Sequence, residues 1–236
     1  MADIIIQARV GSERLKNKLL LKIKDQTLLD ILINRLKRCK KVERLILAIP
    51  DTKENDVLEK ACKKHGIDCF REDEKNVLKR FYLAAQHFSS EIIVRITSDC
   101  PLMDPELVDV MIETFEKSTC DYVTTNQKRC LPRGFDVEVF SFKALEKAFF
   151  MTQDPVHLEH VTLFFKTSEE FSTRVVQHPF VNAHFRLTLD TKEDFALLKI
   201  LLEELDPAFS MLDVFDFLEK NPHIAILNKH IKQKLV

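Results

Sequence analysis

The chain has 236 residues, 45% hydrophobic and 31% charged, which excludes a disordered segment and is enough to bury a self-sufficient core without disulfides. Its formal net charge of −1 excludes the basic excess of a general nucleic-acid binder, while leaving room for a local basic pocket.

Residues 3–8 form an apolar, isoleucine-rich run too short for a helix, which predicts a buried central strand. Residues 7–18, QARVGSERLKNK, break that pattern with small, charged and amide side chains. A helix is predicted over 27–39, with Thr27 as N-cap and Leu28, Ile31, Leu32, Arg35 and Leu36 at helical spacing. Further strands are predicted at 43–49, 67–70 and 91–96. Between them fall helices at 55–65, closed by Gly66 in a left-handed cap, and at 76–88, with Asn76 as a cap. A helix at 105–117 carries Pro105 in its first turn. Strands at 121–125 and 135–140 precede helices at 142–150 and 155–166. Strands at 173–177 and 185–189 lead to an amphipathic helix at 192–205, and the segment from Met211 is mostly helical.

Alternating strands and helices in the first half imply parallel strands with crossover helices. The strand-rich region 121–189 implies a mixed sheet there and suits a substrate-binding or lid subregion of a single domain spanning 1–236. The six cysteines, Cys39, Cys62, Cys69, Cys100, Cys120 and Cys130, form no CxxC pair and read as reduced thiols of a cytoplasmic protein. The opening residues lack a charged n-region and a long apolar h-region, so no signal peptide is expected. No apolar run approaches the ~18 residues of a membrane span, so no membrane partner is expected.

Only three glycines occur, Gly11, Gly66 and Gly134. Gly11 and Gly134 lie in polar loops beside arginines, where glycine admits close approach of a ligand or a tight turn. Ligands of parallel α/β sheets bind outside the carboxyl ends of the strands, and residues 7–18 leave such an end. Backbone N–H groups around Gly11 and Ser12 suit an anion nest, and Arg9, Arg14 and Lys18 supply positive charge for a polyphosphate. The run lacks the Walker A spacing and GxGxxG. On residues alone, a solvated basic loop is the alternative.

Two carboxylates follow other predicted strand ends. Asp99 follows 91–96, and Asp190 follows 185–189. Mg²⁺ takes one or two protein carboxylates with phosphate oxygens, so both fit a metal site. Asp104 reads as an N-cap before Pro105, Asp190 alone also fits a plain cap, and Glu193 and Asp194 suit the first turn of a helix. In residues 132–140, PRGFDVEVF, alternation places Asp136 and Glu138 on one face. His157 and His160 are three apart on a predicted helix, but no third ligand of suitable spacing is near, so zinc is not expected.

These runs resemble the cytidylyltransferases that activate sugars, including those that make CMP-ketodeoxyoctonate and CMP-sialic acids. The nearest subgroup is the one named for spore coat polysaccharide biosynthesis protein F. Residues 7–18 are similar to the family's QARxGSxRL loop, with Lys16 and Asn17 where the pattern has proline and glycine; asparagine tolerates a left-handed turn. The hallmark RxTADCPLxDP is matched at Arg95, Thr97, Asp99, Cys100, Pro101, Leu102, Asp104 and Pro105, with Ser98 for alanine. RLTLDTKED resembles RWTVDTPEDL, PRGFDVEVF resembles PRGLDVEVFS, and Glu159, His160, Val161 and Thr162 match an EHVT motif. Glu72 and Asp73 stand where the family has Gly-Ser.

The resemblance covers about residues 3–200. It implies a nucleotide-diphospho-sugar transferase-like (Rossmann-like) three-layer α/β fold with a mixed, mostly parallel sheet. It implies CTP as substrate, a sugar or sugar-acid acceptor, pyrophosphate as product, Mg²⁺ as cofactor and a homodimer. By position it implies nucleotide binding by Gln7, Ala8, Arg9, Gly11, Ser12, Arg71, Arg80 and Arg95. Catalysis falls to Arg14, Lys18 and Asp99, with metal on Asp99 and Asp190. Acceptor binding falls to Arg133, Gly134, Asp136, Glu138, Glu159 and His160. The rival activities are a metal-dependent glycosyltransferase using a pre-formed nucleotide sugar and a non-catalytic nucleotide-binding module.

Overall fold

A computed structural model describes residues 1–12, 14–127, 131–177 and 183–233; Cys130 lies outside the described residues. Strand β1 (Ala2–Gln7) is followed by a two-stranded hairpin, β2 (Lys22–Ile23) and β3 (Gln26–Thr27), that periodicity does not reveal. Then come α1 (Leu28–Leu36), β4 (Val42–Pro50), α2 (Asp56–His65), β5 (Asp68–Glu72), α3 (Val77–His87), β6 (Ile92–Thr97) and α4 (Pro105–Glu116). The second half holds β7 (Tyr122–Thr124), β8 (Glu138–Ser141), α5 (Phe142–Met151), α6 (Pro155–Glu159), α7 (Leu163–Thr167), β9 (Thr173–Val175), α8 (Lys192–Glu204), α9 (Met211–Lys220) and α10 (Pro222–Ala225).

Seven strands form one sheet in the order β5-β4-β1-β6-β8-β7-β9. β5, β4, β1 and β6 run parallel, β8 is antiparallel to both β6 and β7, and β9 is parallel to β7. The sheet is mixed and mostly parallel, with helices on both faces. The period-2 alternation of β1 explains the layering. Ile4 and Ile6 enter one buried cluster with Leu32, Leu36 and Leu198, whereas Ile5 enters the other with Phe81 and Leu145.

Caps fall where the side-chain chemistry places them. Thr27 and Asp30 form a capping box on α1, and Asn76 Oδ1 accepts from Lys79 N at 2.8 Å. Gly66 closes α2 at φ 59°, and Asp104 Oδ1 accepts from Glu106 N at 2.8 Å. Each such cap is worth about 1 kcal/mol.

Three expectations need correction. The helix expected over 155–166 is two short helices, because residues 160–162 turn inward, with Val161 at φ 34° and fully buried. The strand expected over 135–140 begins only at Glu138, since Phe135 O and Val137 N bond to the Thr125 hydroxyl. Residues 185–189 form no strand beyond one bridge between Arg186 and Arg133. Their backbone bonds to loops instead: Leu187 N donates to Arg133 O at 2.8 Å and Leu189 N to Asp99 O at 2.8 Å.

Candidate active site

The chain leaves β1 toward α1 and β4 on one side of the sheet and later returns on the other side as β6. The loops after β1 and β6 therefore part at the carboxyl ends of adjacent strands, where an open α/β sheet forms its crevice. Ser98 N donates to Gln7 O at 3.1 Å and holds the two loop starts together.

The β1 loop is anchored at both ends. Val10 N donates to Oδ1 of the buried Asn55 at 2.9 Å. Asn17 sits in the left-handed region at φ 55° and ψ 28°, which turns the chain into the short 3-10 turn that begins at Lys18. Asparagine thus fills the glycine-like conformation expected of it. Arg9 and Arg14 are exposed on the loop, whereas the Lys18 side chain is only 14% exposed.

Lys18 joins Asp99, which follows β6, to Asp190, which precedes α8. Its Nζ donates to Asp190 Oδ1 at 3.0 Å and to Leu189 O at 2.7 Å, and lies 3.6 Å from Asp99 Oδ2. Arg14 Nη2 is 3.0 Å from the same Asp190 oxygen. The other Asp190 oxygen accepts from Arg186 Nη2 at 2.7 Å. Burial alone would raise the Asp190 pKa, but Lys18, Arg14 and Arg186 outweigh it and hold the carboxyl below its ordinary value. Asp190 is anionic at neutral pH and faces Asp99 across one ammonium.

Beside Asp99, the fully buried Cys100 thiol is pushed well up by burial, and further by the charges of Asp99 and Asp136. It stays protonated at neutral pH and offers no thiolate nucleophile. The same effect places Asp136 within electrostatic reach of the Cys100 thiol.

A second charged centre lies beneath. Glu138 is 2% exposed. It accepts from Arg95, from Tyr122 OH at 2.5 Å, Asn126 Nδ2 at 2.9 Å, Thr162 Oγ1 at 2.8 Å and Lys166 Nζ at 2.8 Å. Arg95 also donates to Gln7 Oε1 at 2.9 Å, so the last residue of β1 is tied to this centre. Glu138 is thereby placed as a buried anchor with its lone pairs engaged, and Thr162 is the EHVT residue that reaches it. Glu159 is exposed and His160 half-buried at the end of α6.

The expected nucleotide-binding arginines divide. Arg80 is fully buried beside the β1 loop, where Nη1 donates to Asp73 O at 2.5 Å; burial, and then the charge of Arg9, bring its pKa down to about 10. Arg71 turns to Asp51 at 3.0 Å, Asp56 at 2.8 Å and Glu59 at 2.7 Å, and its Nη2 donates to Thr52 O at 3.0 Å, so its fork is filled from within the chain. Gly134 needs its missing Cβ for an internal reason: at φ 112°, a Cβ would meet Leu187 O at 2.6 Å. His157 Nδ1 lies 2.9 Å from Thr152 Oγ1, in a helix-capping turn.

Sequence reasoning passed over Arg186 as a functional residue and took Asp194 as structural. Asp194 accepts from Arg186 Nε at 2.9 Å and from Asp190 N at 2.9 Å. Asn228 Nδ2 then holds Asp194 Oδ1 at 2.8 Å and Arg186 O at 2.9 Å. Four-residue spacing brings side chains together on a helix, and residues 186–190 are not helical, so no local pattern announced this cluster.

A crevice at the switch point of a mixed sheet, with a basic loop at one strand end and facing carboxylates at its rim, defines a nucleotidyltransferase. The chain belongs to the cytidylyltransferase family, whose model matches residues 4–216. It is 40% identical to the uncharacterized protein MJ1063 of Methanocaldococcus jannaschii over 98% of this chain and 95% of that one. It is 34% identical to spore coat polysaccharide biosynthesis protein SpsF of Bacillus subtilis, over 95% and 98%. A solved cytidylyltransferase from Leptospira borgpetersenii superposes with a TM-score of 0.91 at 31% identity, covering all of both chains. Two distant structures share the fold alone. One is CMP:2-keto-3-deoxy-manno-octonic acid synthetase with CTP, with a TM-score of 0.67 at 15% identity over 87% of this chain and 100% of that one. The other is Rv0371c of Mycobacterium tuberculosis with manganese, with a TM-score of 0.57 at 17% identity over 86% and 98%. The fold is the nucleotide-diphospho-sugar transferase-like one, and the chain is a CTP-using nucleotidyltransferase.

Proposed function

We propose that the chain couples CTP to a sugar or sugar-acid acceptor in the cytoplasm, for surface polysaccharide or glycoconjugate synthesis. The acceptor oxygen bonds to the α-phosphorus as the bond to the bridging oxygen breaks, and pyrophosphate leaves. The observation that carries this reading is the Lys18 ammonium within reach of both Asp190, at 3.0 Å, and Asp99, at 3.6 Å. Two hard carboxylates converging on one cation position at the crevice suit a divalent metal of the Mg²⁺ or Mn²⁺ kind, and manganese accompanies a fold neighbour. Asp99 and Asp190 would hold Mg²⁺, which supplies charge neutralisation at the phosphates.

Lys18 and Arg14 bind the developing negative charge of the phosphates, and the backbone at Gly11 and Ser12 orients the triphosphate. Gln7, Ala8 and Arg9 line the nucleotide with Arg80 and Arg95 behind them. Arg133 and Asp136, in region 121–189, face the acceptor. A homodimer is supported by exposed Phe150, Met151 and Val156 on α5 and α6; sedimentation at the monomer mass would overturn it.

The activity is tested by screening the four NTPs against a panel of acidic sugars with Mg²⁺ for pyrophosphate release. Release is expected with CTP and one acceptor class, and is lost in Asp99→Ala. Turnover only with a pre-formed nucleotide sugar would point to a glycosyltransferase; CTP binding without any product would point to a binding module.

A further inference from the structure

The carboxylates at the crevice are already compensated. Asp190 Oδ1 meets both Lys18 Nζ and Arg14 Nη2 at 3.0 Å, and Asp190 Oδ2 meets Arg186 at 2.7 Å. Lys18 also reaches Asp99, and Arg186 also holds Asp194. Three cations therefore stand against three carboxylates. A divalent ion needs carboxylate oxygens at about 2 Å and would repel an ammonium lodged between them.

The cations differ in how firmly they are held. Arg186 is 9% exposed and is fixed by Asp194, with Gln233 on its remaining nitrogen. It stays with Asp190 whatever binds. Lys18 and Arg14 sit on the β1 loop, on long flexible side chains, with the Arg14 side chain 43% exposed. A triphosphate in the crevice competes for these two and not for Arg186.

We propose that Lys18 is a latch: in the nucleotide-free protein its ammonium occupies the cation position between Asp99 and Asp190, and the metal enters only with the triphosphate that draws Lys18 away. The cosubstrate is then the metal–CTP complex, and free metal binds poorly. This rests on the reading of Asp99 and Asp190 as metal ligands. A closed latch lowers apparent metal affinity by the fraction of molecules in which it is open.

The test is Mn²⁺ binding to nucleotide-free protein, followed by the paramagnetic resonance signal of the free ion. Lys18→Ala should bind Mn²⁺ at least about tenfold tighter than the wild type. Lys18→Ala combined with Asp99→Asn should lose that gain, and Lys16→Ala, which removes an exposed loop charge, should not produce it. Wild type binding as tightly as Lys18→Ala, in an Asp99-dependent way, overturns the latch and leaves the metal ligands standing. An equal gain in Lys16→Ala also overturns it, as a bulk charge effect. Asp99-independent Mn²⁺ binding in Lys18→Ala, or none there and none in wild type with a non-hydrolysable CTP analogue, takes down the latch and the ligand assignment together.

Discussion

Two residues of the site show what a backbone angle decides. Asn17 sits in the left-handed region at φ 55° without being a glycine. Asn17→Gly should leave stability nearly unchanged, whereas Asn17→Ala should cost about 1 kcal/mol, from the Cβ–carbonyl crowding of left-handed backbone. Urea midpoints of the two variants check this, and equal losses would contradict it. Gly134 is the harsher case, because its φ of 112° and the Leu187 carbonyl 2.6 Å from a built Cβ act together. Gly134→Ala should cost at least about 2 kcal/mol, since strained backbone alone costs 1–3 kcal/mol. The left-handed tolerance of Asn17 was legible because it is a property of the residue. The reason for Gly134 was not, because a sequence does not say whether ligand or chain makes the close approach. Arg71 illustrates the same limit: Asp51, Asp56 and Glu59 hold its guanidinium, and none of them lies on its own strand, β5.

Elements were legible where local pattern governs them. β1, β4 and β6 read as apolar runs, and the helices between and after them are bounded by Thr27, Asn76, Gly66 and Asp104, each a cap by its own chemistry. They were misread where a distant partner governs. Helical spacing continues through residues 155–166, yet the chain breaks at 160–162, where the Thr162 hydroxyl reaches Glu138, 24 residues away in sequence. Thr162→Val removes one donor from a buried carboxylate and should cost about 1–3 kcal/mol. Pyrophosphate release by the remaining folded protein should stay within a few-fold of wild type, because Thr162 is not proposed to touch substrate. A loss of turnover with full stability would instead place Thr162 in the acceptor pocket.

At the scale of the molecule, the parallel half of the sheet followed from alternation. The antiparallel pairing of β8 did not, because neither β7 nor β8 carries a signal for its partner. That pairing is what brings Glu138 against Arg95, and the resulting charge centre governs behaviour in acid. Burial alone would raise the Glu138 pKa, but Lys166 and Arg95, helped by Tyr122, hold it well below the ordinary carboxylate range; Asp190 is also lowered.

For both groups the folded pKa lies under the unfolded one, so on acidification the unfolded chain takes up protons first. Their stabilisation is complete above the unfolded values of about 4 and drains as pH falls through and below them. Stability of the wild type should therefore be flat between about pH 5 and 8 as far as these groups are concerned, and then fall toward pH 3. Glu138→Gln leaves the half-buried Arg95 and Lys166 without their counter-charge and should cost about 3 kcal/mol at pH 7. Its acid limb should also be shallower than that of the wild type, because one depressed carboxylate no longer titrates. Urea midpoints measured from pH 3 to 8 separate these two effects. A variant that is destabilised by the same amount at every pH would show that Glu138 acts through packing, and that its charge is not what joins β6, β8 and α7.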